Sequence, residues 1–96
     1  MLLEKPIKEN DIVSIKLVTG EELIATYSEV TDDYLVVKKP ATIAANQQGM
    51  GIIPWMMTAR PEKLQLNRNT VIAMGPTDES IAKSYTEATT DIQLAQ

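Results

Sequence analysis

"VSIKLVTGEELIATYSEVTDDYLVV", residues 13–37, is the stretch whose reading decides the fold. Val13, Ile15 and Leu17 fall on one side of an extended chain, with Ser14 and Lys16 on the other. That period of two marks a half-buried strand. Thr19-Gly20-Glu21 follows, and Gly20 supplies the positive φ that a tight hairpin needs. A second strand covers residues 22–30, where Ile24, Thr26, Ser28 and Val30 oppose Leu23, Ala25 and Tyr27. Neither face is wholly polar, which predicts a strongly bent strand serving two sides of a small barrel. Thr31-Asp32-Asp33 reads as a second turn, because Asp side chains bond their own backbone. "YLVVKK" opens a third strand at Tyr34, which Pro40 is expected to blunt.

Working outward, "ATIAANQQG" reads as a loop or irregular extension and "MGIIPWMM" as a strand. Pro54 cannot donate to a ladder, so that segment is expected at an edge or a bulge. "ARPE" turns the chain. "KLQLNRNTVIAMGP" holds two short strands around a polar kink at Asn67–Asn69. After Pro76 the pattern changes: Thr77 is a plausible N-cap, and Asp78 and Glu79 sit in a first turn where the helix dipole favours anions. Ile81, Tyr85, Ala88 and Ile92 recur at helical spacing and predict a helix over about 78–88. Such a helix is either a cap on the barrel or a partner-binding element. The whole chain then divides into an N-terminal arm (1–10, with at most a short helical turn), a β-barrel (11–76), and a helix with a frayed tail (77–96).

The 96 residues suit one domain, with 44% apolar and 23% charged side chains. No run is long enough to span a membrane, and "MLLEKPIKEN" leaves no room for a signal-peptide apolar region, so a cytoplasmic location is expected. The chain has no Cys and no His. Thiol nucleophiles, Ser-His-Asp triads and zinc sites built on those residues are therefore excluded, and no cofactor is expected. Asp32–Asp33 and Glu21–Glu22 are adjacent pairs. Neighbours on a strand point to opposite faces, which makes them poor acid/base partners. No enzyme is expected. Net charge is −4, but it is segregated: residues 34–76 carry Lys38, Lys39, Arg60, Lys63 and Arg68 against Glu62 alone. That segment either forms one basic face or is an ordinary solvated surface.

Gly20, Leu23, Asp32 and Tyr34 together resemble the first motif of Sm-like proteins, with one extra residue in the second strand relative to the bacterial RNA chaperone Hfq. "LNRNTVIAMGP", Leu66 to Pro76, lies without a gap over the second motif. The C-terminal helix and "PWMMTARPEK" look like the small Sm-like proteins of tailed phages, cyanophages included. The resemblance implies a mainly β Sm-like fold, a five-stranded, strongly bent antiparallel sheet forming a small open barrel with a C-terminal helix. Two positions depart from the eukaryotic and archaeal pattern. Val36 stands where an Asn accepts uracil, and Asn67 and Arg68 stand where an Arg-Gly pair is usual. Tyr34, Arg68 and Asn69 fall closer to the Hfq arrangement of a stacking residue with a polar pair.

The resemblance also implies a homo-oligomeric ring of about five to seven subunits, in which open edges pair head to tail. Val71, Ile72, Ala73 and Met74 are apolar enough to be buried on both sides in such a joint. Trp55, Met56 and Met57 either sit at the same boundary or fill the monomer core. For RNA, Tyr34 would stack a base, with Asn67, Arg68 and Asn69 reaching phosphate or base edges, and Lys38 and Lys39 adding phosphate contacts. Tyr34 as a packing residue and 67–69 as a plain turn is the competing reading. Two functions stay open: single-stranded nucleic-acid binding on a ring, or an oligomeric structural adaptor without RNA. Neither involves a membrane or a small-molecule substrate.

Overall fold

The computed structural model describes residues 6–94, with the side chains of Asn46 and 91–94 left out. Six strands and one helix follow in order: β1 (Ile12–Leu17), β2 (Glu22–Val30), β3 (Tyr34–Asn46), β4 (Gly49–Pro54), β5 (Leu64–Asn67) and β6 (Val71–Pro76), then α1 (Glu79–Leu94). A 3-10 turn, Arg68–Thr70, joins β5 to β6. The sheet runs β4-β3-β2-β1-β6, antiparallel throughout, and β5 also pairs with β3. The mainly β, strongly bent architecture with a C-terminal helix is as expected. Six segments appear in place of five because β3 serves two partners along its length.

The reason lies at Lys39 and Pro40. Residues 34–37 of β3 pair with β5, and residues 41–46 pair with β4. Between them the β2–β3 register steps from Thr26↔Lys38 to Ile24↔Ala41, so two residues of β3 oppose one of β2. This is a bulge, and Lys39 adopts a left-handed φ of 52° within it. A bulge leaves one residue out of the ladder, which is where proline's missing N–H does no harm. Pro40 therefore does not blunt the strand, and "ATIAAN", expected as a loop, continues β3. Pro54 ends β4 at the sheet edge.

Two clusters on opposite sheet faces hold the domain. Val13, Ile15, Leu17, Leu23, Ala25, Leu35, Val37 and Leu66 fill the barrel interior, with Ile7, Trp55, Leu64, Val71 and Met74 packed against them. Ile24, Ala41 and Tyr85 form the second, with Ile12, Ile52 and Ile81 around it. β2 is thus sandwiched, Leu23 and Ala25 facing the barrel and Ile24 facing α1. The helix, rather than a second wall of the barrel, explains why β2 has no polar face.

Asp78, not Thr77, caps α1. Its Oδ2 accepts from the Ser80 and Ile81 backbone N–H groups and from Ser80 Oγ at 2.6–3.3 Å. Thr77 instead bonds Ser14 through their hydroxyls at 2.9 Å. The helix also runs past the expected end at 88, as far as Leu94. Hydrogen bonds from Ser80 and Ile81 hold the Asp78 carboxyl below its ordinary 3.8. A depressed folded pKa gives stability that is present above about pH 3.8 and lost as pH falls through the lower folded value. Asp78→Ala should lower the thermal midpoint at neutral pH, and the difference from wild type should vanish in strong acid. Parallel melting curves across pH check both.

Of the expected N-terminal arm, residues 1–5 lie outside the described residues. The remainder is a turn rather than a helix: Lys8 N donates to Asp11 Oδ2, and Asn10, at φ 77°, donates its N–H to Tyr27 O. Among the described residues, no helix is long and apolar enough to cross a membrane.

Candidate functional site

Two turns separated widely in sequence are fastened together at one end of the barrel. In the first, Thr31 Oγ1 accepts from the N–H groups of Asp33 and Tyr34, and Thr31 N donates to Tyr34 O. In the second, Asn67 Oδ1 accepts from Asn69 N at 2.9 Å, and Thr70 Oγ1 donates to Asn67 O at 2.7 Å. Pairing of Tyr34 with Asn67 sets the two side by side. Arg68 locks them: its N–H donates to Asp33 O, and one guanidinium nitrogen donates to Thr31 O at 2.9 Å and to Asp32 O at 3.4 Å.

The result is a polar depression of about 250 Å³ lined by Asp32, Asp33, Tyr34, Asn67, Arg68 and Asn69. Tyr34 is 41% exposed and belongs to neither core cluster, so its ring is open to a ligand. Four of the six residues named for RNA are therefore brought together. The two lysines are not. Lys38 Nζ donates to Asn10 Oδ1, and Lys39, turned by the bulge, lines a different cavity. Arg60 lines that second cavity too, so the basic residues of 34–76 are dispersed rather than gathered at the depression. Val36, at the position of the uracil-accepting Asn in the resembled proteins, is 1% exposed and out of reach of a base.

The second cavity holds about 420 Å³ between the β3 bulge, the end of β4, the 55–63 segment and α1. Ile53, Met56, Met57, Pro61, Leu64 and Ala88 supply its apolar lining. Trp55 N donates to Pro40 O, and Lys39 N donates to Pro61 O, which hangs the segment on the bulge. The trio 55–57 divides accordingly: Trp55 packs on the core and donates from Nε1 to Glu21 Oε2, whereas Met57 is 80% exposed.

Among the described residues, β6 is paired on one side only. Its inner neighbours Val71 and Met74 pack on the core, and Ile72 (63%) and Ala73 are exposed. At the other end of the sheet, β4 and β5 pair with β3 alone among the described residues. Both edges thus offer backbone groups to another chain. Among the described residues, no group of three or more His, Cys, Asp or Glu is placed to hold a metal ion.

The depression adds Asp32 and Asp33, read from the sequence as turn residues and not as part of the site, and has Thr31 as its organiser. Thr31 had a signal: a hydroxyl three residues before a strand opening can accept from the turn's N–H groups. The family model of the Sm-like domain matches residues 14–86. No curated protein matches the chain.

Proposed function

The chain belongs to the Sm-like family, and from that premise we propose that it is a subunit of a closed homo-oligomeric ring that binds single-stranded RNA at the Tyr34 depression. Family members typically form rings and bind RNA and are generally not enzymes. In this reading the β6 edge of one copy pairs with the β5 edge of the next, a heterologous contact that repeats until it closes. Tyr34 stacks a base while Asn67, Arg68 and Asn69 meet its edges. A shallow pocket repeated around a ring gains affinity through effective concentration. The observation that carries the proposal is the juxtaposition of an open aromatic ring with the Asn67–Asn69 turn, in a domain with two unpaired edges.

Fluorescence anisotropy with short labelled RNAs tests it. Wild type should bind with micromolar or tighter affinity. Tyr34→Ala should weaken binding by about 1–3 kcal/mol for each stacked base lost. Arg68→Ala should weaken it further by freeing the two turns. Absence of binding at low salt would remove the RNA half of the proposal. The rival, an oligomeric adaptor, draws on the net charge of −4 and on the two acidic residues, Asp32 and Asp33, that line the depression. The reading of the chain as a phage-type member draws on the resemblance of its 54–63 segment and C-terminal helix.

A further inference from the structure

Resting on the nucleic-acid reading above, we infer that the Tyr34 depression selects guanine rather than uracil. The argument is an inventory of free hydrogen-bonding groups. Arg68 has already committed one guanidinium nitrogen to the carbonyls of Thr31 and Asp32. Asn67 has committed its Oδ1 to Asn69 N, which leaves its amide NH₂ to donate. Asp32 and Asp33 line the same depression, and their carboxylates have no partner among the described residues. Ionised carboxylates only accept.

The site therefore offers ionised acceptors beside the remaining N–H donors of Arg68, Asn67 and Asn69. Uracil places one N–H between two carbonyl oxygens, so it meets a carboxylate through a single bond with its own oxygens turned toward the negative charge. Adenine and cytosine each offer a single amino group beside a bare ring nitrogen. Guanine alone offers two adjacent donors, N1–H and the 2-amino group, at the spacing of the two oxygens of one carboxylate. Its O6 and N7 then remain for the Asn67 amide or the free guanidinium nitrogens. The same carboxylates oppose a phosphate brought close, so base contacts carry a larger share of affinity here and the salt dependence is shallow.

The test uses the full chain and labelled RNAs of equal length: a uridine run, an adenosine run, alternating uridine and guanosine, and that last sequence with inosine for guanosine. Alternation avoids four-stranded guanine assemblies. The guanosine RNA should bind about tenfold or more tightly than the uridine run. Inosine, which lacks the 2-amino group, should lose most of that gain. The double substitution Asp32→Asn, Asp33→Asn should bring the guanosine-to-uridine affinity ratio close to unity, with the protein's circular dichroism unchanged. Uridine bound as tightly as guanosine, in a manner lost in Tyr34→Ala, would overturn the selectivity and leave the RNA reading standing. Absence of binding to all four RNAs would overturn both.

Discussion

Replacing Tyr85 by alanine will destabilise the domain by about 3–5 kcal/mol, the usual cost of emptying a large aromatic site. The side chain is 2% exposed and forms the second cluster with Ile24 and Ala41. Its hydroxyl is also a structural group. It lies 2.8 Å from Lys39 O, 3.3 Å from Lys38 O and 3.0 Å from Thr26 Oγ1, so it ties the helix to the residues that form the β3 bulge. Tyr85→Phe keeps the ring but strips these partners, and should cost about 1 kcal/mol, the usual loss of a hydrogen bond at a half-buried carbonyl. Urea titrations of the three proteins give the ordering. A loss under about 1 kcal/mol for the alanine variant would mean that the helix is not integral to the fold. Burial also raises the phenol's pKa above its ordinary 10.0. A raised folded value leaves stability intact below about pH 10 and erodes it as pH rises from there through the folded pKa, an alkaline weakness that Tyr85→Phe should lack.

Ile72→Asp will leave the single domain close to its original stability and abolish assembly. At 63% exposure Ile72 contributes little to its own core, and surface changes of this kind usually stay within about 0.5 kcal/mol. At a closed joint the position is covered by the neighbouring copy. A carboxylate there is desolvated without a partner, which costs several kcal/mol at every joint of the ring. Ala73→Ser, beside it on the same edge, is the mild control. Sedimentation of the aspartate variant should give one chain with an unchanged circular dichroism spectrum. An aspartate variant still assembled as wild type would show that the β6 edge is not the joint.

The strands β1 to β3 and their turns were legible because their signals are local: alternation, a glycine at the turn, and Asp residues before Tyr34. The bulge was not. Pro40 reads as a strand breaker until Lys39's left-handed backbone is known, and that conformation depends on Tyr85 and Pro61, both distant in sequence. The same bulge turns Lys39 toward the second cavity, and Lys38, still in register with Thr26, reaches Asn10 instead of the Tyr34 site. Tyr34 and Asn67–Asn69 could be paired only through the resemblance, since no periodicity joins residues so far apart. Residues 55–63 carry no repeat at all, and the apolar cavity they complete left no trace in the pattern. At the helix start Thr77 was expected as the N-cap and Asp78 in the first turn, but the Thr77 hydroxyl is engaged by Ser14 and the Asp78 carboxylate caps the helix.

The ring is tested most directly by the absolute mass of the wild-type chain in solution, measured by light scattering at micromolar concentration. Head-to-tail closure predicts a single species of several times the 10.6 kDa of one chain, constant on dilution over the measured range. A species of one chain mass at all concentrations would contradict it.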